Sequence, residues 1–116
     1  MPNFISIKKK IKSFNKNINV DGDKSLSIRW VLFSSIASGV SEAKNLLMSE
    51  DVLASINVIK KLGIKVTKNN EYCKIYGKGI NGFRYKDNLT LNAKNSGTLG
   101  RLILGLIVNT PKKIKL

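Results

Sequence analysis

The hydrophobic rhythm of this chain changes several times along its length. From Phe4 to Val20 the apolar residues Phe4, Ile5, Ile7, Ile11, Phe14, Ile18 and Val20 alternate loosely with lysine, asparagine and serine. Such alternation predicts two short strands joined by a Lys/Asn turn. Asp21, Gly22 and Asp23 break the pattern. Residues 25–38 then suit a helix that is apolar on most sides, through Leu26, Trp30, Val31, Leu32, Phe33 and Ile36, which predicts burial between layers. Gly39 is its expected stop.

A short strand is expected over residues 43–47, and the clearest helix of the chain follows it. Ser49 can cap that helix, Glu50 and Asp51 complement the positive end of its dipole, and Val52, Ile56, Ile59 and Leu62 fall on one stripe. Lys60 and Lys61 occupy its last turn, with Gly63 as the C-terminal cap. Residues 64–67 and 72–76 read as strands around an Asn69-Asn70 turn, residues 89–91 as another strand, and a last helix begins near Gly97. The order strand, helix, strand, helix, strand, strand, strand, helix indicates an α/β layer structure. Beyond Pro111 the residues Lys112 to Leu116 alternate like a strand just starting, with nothing to close the sheet, an abrupt end that suggests a truncated chain.

Composition narrows the picture. With 116 residues, 42% of them hydrophobic, the chain can build the core of one small globular domain. No apolar run reaches the roughly 18 residues of a membrane span, and the start lacks the ordered regions of a signal peptide, so a cytoplasmic protein is expected. The single cysteine, Cys73, lies in a strand-like stretch, cannot form an internal disulfide and has no second thiol or histidine for a metal site. It reads as a core residue and not a nucleophile. The formal net charge of +14 invites a nucleic-acid partner, but the lysines are scattered over the whole length, the only arginines are Arg29, Arg84 and Arg101, and no aromatics are spaced for base stacking. Small anionic partners suit this charge better.

Two loops carry candidate chemistry. "DGDKSLSIR" (residues 21–29) and "KNSGTLGR" (residues 94–101) share a layout: a glycine, a hydroxyl and an arginine within the first helical turns, as Gly22, Ser25 and Arg29 and as Gly97, Thr98 and Arg101. Free N–H groups at a helix start bind anions, and cationic side chains strengthen the site. If the first helix starts near Ser25, then Ser25 and Arg29 share a face and Lys24 projects over the same end. A cap at Ser25 with solvated Lys24 and Arg29, and a plain buried helix behind Gly97, are the competing structural readings. The nucleoside-triphosphate phosphate loop is absent, and no histidine or carboxylate pair provides an acid/base couple, so these loops supply binding groups.

The stretches "DGDKSLSIRW", "NLLMSEDVLASINVIKKLGI" and "NSGTLGRLILGL" resemble, in order, the start of the 3-phosphoshikimate 1-carboxyvinyltransferase (EPSP synthase) family, over residues 20–106. The resemblance implies an α/β (α+β) inside-out barrel of repeated β-α-β-α-β-β units, here the first unit and the start of the next. Residues 21–116 then form the first part of the N-terminal substrate-binding domain, and residues 1–20 pack in or near the other domain. It implies transfer of the enolpyruvyl group of phosphoenolpyruvate to the 5-hydroxyl of shikimate 3-phosphate, by a monomer, with no metal or organic cofactor, no nucleic acid and no membrane partner.

By position, the resemblance gives Lys24 contact with both substrates and a catalytic role. Ser25 and Arg29 hold shikimate 3-phosphate, Gly97 lines the phosphoenolpyruvate pocket, and Asn95, Thr98 and Arg101 shape its loop. Three departures stand out: Asp21 replaces a usual proline, Ile28 stands where His or Asn is common, and Lys94 stands where a glycine often precedes the Asn. The family's later arginines and acid/base residues lie beyond Leu116, so these residues alone should not catalyse. The UDP-N-acetylglucosamine enolpyruvyl transferases are the neighbouring alternative, but typically have Lys-Asn where Lys24-Ser25 stands. A non-catalytic basic remnant is the other.

Overall fold

The computed structural model describes residues 3–10, 12–19 and 21–116. Three helices and five strands follow one another as α1 (Lys24–Ile36), β1 (Ser38–Lys44), α2 (Glu50–Lys61), β2 (Lys65–Lys68), β3 (Tyr72–Lys78), β4 (Leu89–Thr90), α3 (Gly97–Ile107) and β5 (Ile114–Lys115). The mixed helix and strand architecture agrees with the expected class, and α1 to β3 reproduce one α-β-α-β-β run.

A three-stranded sheet has the order β1-β3-β2, with β3 antiparallel to both neighbours. Strands β1 and β2 therefore run parallel on either side of β3, and parallel strands cannot be joined by a tight turn; α2 supplies the crossover. Strand β3 follows β2 through a hairpin in which the Asn69 side chain accepts from the N–H groups of Glu71 (2.8 Å) and Tyr72 (2.9 Å). Alternation along β3 sends Cys73 and Ile75 to the buried face, where they meet Ile28 and Val31 of α1 and Val52, Ile56 and Ile59 of α2 in one core. Burial pushes the Cys73 thiol above its ordinary value, against a smaller opposing effect of Lys68, so it stays protonated and inert. The other face of the sheet is polar and aromatic: Lys74 pairs with Glu42 at 3.2 Å, and Lys65 and Lys74 lie 4.8 and 4.9 Å from the ring centres of Tyr76 and Tyr72. The hydrogen bond to Glu42 raises Lys74 above the usual lysine range.

Strands β4 and β5 form a separate parallel pair joined through α3. The alternating stretch near the C-terminus is thus a strand with a partner, which the sequence pattern did not supply. No helix among the described residues is long and apolar enough to cross a membrane.

Three expectations are corrected. Residues 3–10 and 12–19 form no strand; Ile11 and Val20 lie outside the described residues. Phe4, Ile5 and Ile7 are more than four-fifths exposed. Alternation states a preference, but a strand exists only with a neighbour to take its backbone hydrogen bonds, and among the described residues none pairs with this arm.

Helix α1 is not buried on most sides. Its inward face is Ser27, Ile28, Val31, Leu32, Ser34 and Ser35, while Leu26 and Phe33 stay about two-thirds exposed. The small serines face inward because α1 approaches the sheet very closely. A Cβ at Gly77 of β3 would lie 2.3 Å from the backbone oxygens of both Ser34 and Ala37. The third correction follows from the second: β1 starts at Ser38, directly after α1, and not at Ala43, because the chain turns at Ala37 and pairs with β3 from Ser38 onward, with Gly39 at φ +113° within the strand.

The contact at Gly77 is with backbone, which cannot swing aside as a side chain could. Gly77→Ala is expected to lower stability by about 2–3 kcal/mol, seen as a lower urea midpoint at unchanged slope. An unchanged midpoint would mean that α1 does not rest on β3 here.

Candidate functional site

Helix α1 begins with Asp23 as its cap. The Asp23 carboxylate accepts from the Leu26 N–H at 2.7 Å and its carbonyl from the Ser27 N–H at 2.9 Å. Capping therefore falls to Asp23 and not to Ser25. Lys24, the first helical residue, reaches across to the first turn of α2, where its ammonium lies 3.2 Å from the Asp51 carboxylate. The side chains of the pair are 53% and 22% exposed. At that solvent access the pair contributes at most about 1 kcal/mol, so a bound phosphate can draw Lys24 away from Asp51.

Ser25 and Arg29 share a face, as their four-residue spacing requires: the Arg29 guanidinium folds back and donates to the Ser25 carbonyl at 3.2 Å. Ile28 is fully buried in the core, so its departure from the family pattern serves packing. Asp21 is exposed. Gly22 is fixed by its neighbours, since a Cβ there would lie 2.7 Å from the Asn45 carbonyl oxygen and 2.8 Å from the Leu47 nitrogen. The Leu47 N–H also donates to the Ser27 hydroxyl at 3.2 Å, and this ties the 45–47 turn to the first turn of α1.

Helix α3 begins with the same device in a neutral form. Ser96 is the cap, its hydroxyl accepting from the Leu99 N–H at 3.1 Å and its carbonyl from the Gly100 N–H at 3.0 Å. Thr98, half-buried, is left out of the capping, and Asn95 is exposed. Arg101 folds back over Gly97: a Cβ on Gly97 would lie 3.1 Å from an Arg101 guanidinium nitrogen, with no backbone atom closer. The space above Gly97 is therefore bounded by a movable cation, where the space above Gly22 is bounded by fixed backbone. Lys94 adopts a left-handed backbone (φ +50°), and its N–H donates to the Asn92 side chain at 2.7 Å. A glycine takes that geometry freely, so this position is one where glycine is at home.

The two helices touch. A groove of about 110 Å³ between them is lined by Arg29, Leu32 and Phe33 of α1 and Leu102 and Leu106 of α3. Arg29 thus lies at the edge of the α1–α3 contact, while Lys24 faces α2. The arrangement places Lys24 and Arg29 at the start of α1 and Arg101 at the start of α3, side chains whose charge suits anions. The two mouths differ electrically. Asp23 already places a negative charge on the dipole of α1, whereas Ser96 leaves the dipole of α3 uncompensated. A concavity of about 680 Å³ lies elsewhere: its lining includes Ile80, Phe83, Tyr85, Leu106, Val108 and Pro111, and neither loop contributes to it. Arg84 and Lys112 also reach its rim, but none of the residues of the two loops lines it.

Sequence reading missed Asp23 as the cap and Asp51 as the partner of Lys24. The first carried a signal, because Asp before a Lys-Ser start is a standard capping position. The second carried none: the partners are 27 positions apart and meet only because α1 packs on α2.

Residues 8–116 match the sequence profile of the family described as EPSP synthase (3-phosphoshikimate 1-carboxyvinyltransferase). A 3-phosphoshikimate 1-carboxyvinyltransferase of Bacillus cytotoxicus is 41% identical over 100 residues, covering 86% of this chain and 23% of the relative. That of Bacillus velezensis is 39% identical over 104 residues, covering 90% and 24%. The structure of an EPSP synthase from Acinetobacter baumannii superimposes with a TM-score of 0.69 at 33% identity, over 78% of this chain and 20% of that one. The chain spans less than a quarter of the length of the relatives it matches.

The caps are expected to behave alike in stability and oppositely in charge. Asp23→Ala and Ser96→Ala should each cost about 1 kcal/mol by urea denaturation. Raising the salt concentration should reduce the penalty of Asp23→Ala and leave that of Ser96→Ala unchanged. Equal salt dependence would contradict the assignment of a charged and a neutral cap.

Proposed function

The chain belongs to the EPSP synthase family, and from that premise we propose that it provides part of the substrate surface of an enzyme that transfers the enolpyruvyl group of phosphoenolpyruvate to the 5-hydroxyl of shikimate 3-phosphate. The products are 5-enolpyruvylshikimate 3-phosphate and phosphate. The observation that carries this reading is the pair of touching helices, each with an arginine folded back over an N-terminal turn, in a chain whose relatives bear that name. Both substrates carry a phosphate and a carboxylate, and two cationic helix mouths suit them.

In this assignment Ser25 and Arg29 hold shikimate 3-phosphate. Gly97 forms the wall of the phosphoenolpyruvate pocket, with Asn95, Thr98 and Arg101 shaping its loop. Lys24 leaves Asp51 to contact both substrates and to stabilise the charge that develops as they join. The neutral cap at Ser96 favours α3 for the smaller, more densely charged substrate. Residues 21–116 belong to the N-terminal substrate-binding domain, and residues 1–20, whose described apolar side chains are exposed, pack in or near the other domain. The complete enzyme acts as a cytoplasmic monomer without a cofactor. With under a quarter of the relatives' length, these 116 residues bind without turning over.

The test is phosphate release from phosphoenolpyruvate, with and without shikimate 3-phosphate, by the product of the longest reading frame containing these residues. Release that depends on shikimate 3-phosphate is expected; no release from a folded product would reduce the chain to a binding remnant, and release that depends on UDP-N-acetylglucosamine would move it to the neighbouring transferases. In the same product, Lys24→Ala should lower kcat by about a hundredfold or more with an unchanged melting profile. Gly97→Ala should leave the fold intact, since only the Arg101 guanidinium must move, and raise KM for phosphoenolpyruvate by about tenfold or more. Near-normal kinetics in the Lys24 variant would refute its role.

A further inference from the structure

A second cationic concavity lies away from the mouth of α1, beside the turn that leads into α3. About 340 Å³ in volume, it sits between the C-terminal half of α2 and the turn before α3. Its rim carries Lys60, Lys61 and Lys94 with the amides of Asn57 and Asn92, around a floor that includes the buried Val58. No carboxylate lines it. Three ammonium groups around one hollow repel one another, and a bound anion removes that repulsion.

Several details make the hollow more than a chance gathering of surface lysines. Lys60 and Lys61 offset the negative end of the α2 dipole, but Lys94 comes from another element and has no such duty. Lys94 also keeps a long cation on left-handed backbone, a geometry that costs a non-glycine residue about 1–2 kcal/mol. Its N–H uses the Asn92 side-chain oxygen, so what Asn92 has left to offer is its NH2 donor. The Lys61 ammonium donates to the Thr90 carbonyl at 3.3 Å and so bridges α2 to β4.

We propose that this hollow is a second anion site, which takes a phosphate, diphosphate or phosphate ester through Lys60, Lys61 and Lys94. The site shares Lys94 with the loop that leads into α3 and is coupled to that loop. Lys94 stands three positions before Gly97, in a turn closed by the Ser96 N–H donating to the Ala93 carbonyl at 3.1 Å. An anion drawing Lys94 toward α2 braces that turn and, through it, the cap of α3.

The test is a titration of the 116-residue chain with inorganic diphosphate at constant ionic strength, followed by amide chemical shifts. Saturable shifts centred on residues 57–61 and 92–94 are expected. Lys94→Gly, which relieves the backbone and so keeps the fold, and Lys61→Gln should each weaken binding by about five- to tenfold. Lys78→Gln, on the outer face of the sheet, should leave it unchanged. Shifts reproduced by chloride at the same ionic strength, or equally weakened by Lys78→Gln, would show diffuse screening and overturn the proposal. Shifts centred instead on Gly97 and Thr98 would also overturn it and assign the anion to the mouth of α3. Because the readout is binding to this chain, the result stands whether or not the longer product is a transferase.

Discussion

The rest of the structure depends on how closely α1 lies on β3. Backbone meets backbone at Gly77, and the Gly79 N–H donates to the Ala37 carbonyl at 3.0 Å, so the C-terminal end of α1 is anchored to the sheet at fixed depth. Only small residues fit such an approach, which is why α1 presents Ser34 and Ser35 to the interior and leaves Phe33 outside. With one end fixed, the helix axis carries Lys24, Ser25 and Arg29 to where α2 starts and α3 passes. A looser contact would loosen the core between α1 and β3 and move the cations with it.

From that frame the two helix mouths acquire related but unequal properties. In each, an arginine four positions on folds back over the first turn, by hydrogen bond at Ser25 and by close approach at Gly97. The spacing is a consequence of the 3.6-residue turn, so similar short motifs produced similar geometry at separate places in the chain. The caps then separate them. Asp23 partly neutralises the mouth of α1, leaving attraction there to mobile side chains, and Ser96 leaves the mouth of α3 to its own backbone dipole. The Lys24–Asp51 pair adds a further distinction, since it engages the cation of α1 in a weak, half-exposed ion pair.

The apolar arm at the start of the chain shows the limit of a hydrophobic pattern. Phe4, Ile5, Ile7, Phe14 and Ile18 carry the composition of strands, yet their side chains stand in solvent. Burial of such residues stabilises by roughly 1.5–3 kcal/mol each, but only against a surface that receives them. The edges of the three-stranded sheet are β1 and β2, and neither takes the arm as a neighbour. Strand β5 shows the converse. Its residues alternate as a strand would, and they form one because β4 lies alongside.

The sequence by itself determined what depends on near neighbours in the chain. Helix α2 was legible from Ser49 to Gly63 because cap, dipole complement, apolar stripe and left-handed stop are all local. The Asn69 hairpin and the start of α3 at Gly97 were legible for the same reason, and the order of three short motifs pointed to the family that the comparisons then showed. Tertiary structure decided whatever depends on distant partners: which face of α1 is buried, that Lys24 meets Asp51, that Arg29 lies against α3, and that Lys94 turns toward Lys60 and Lys61. It also decided why two glycines in similar loops differ. Gly22 is held by the backbone of a turn more than twenty residues away, while Gly97 faces only the far end of a flexible arginine, and no local pattern distinguishes a fixed neighbour from a movable one.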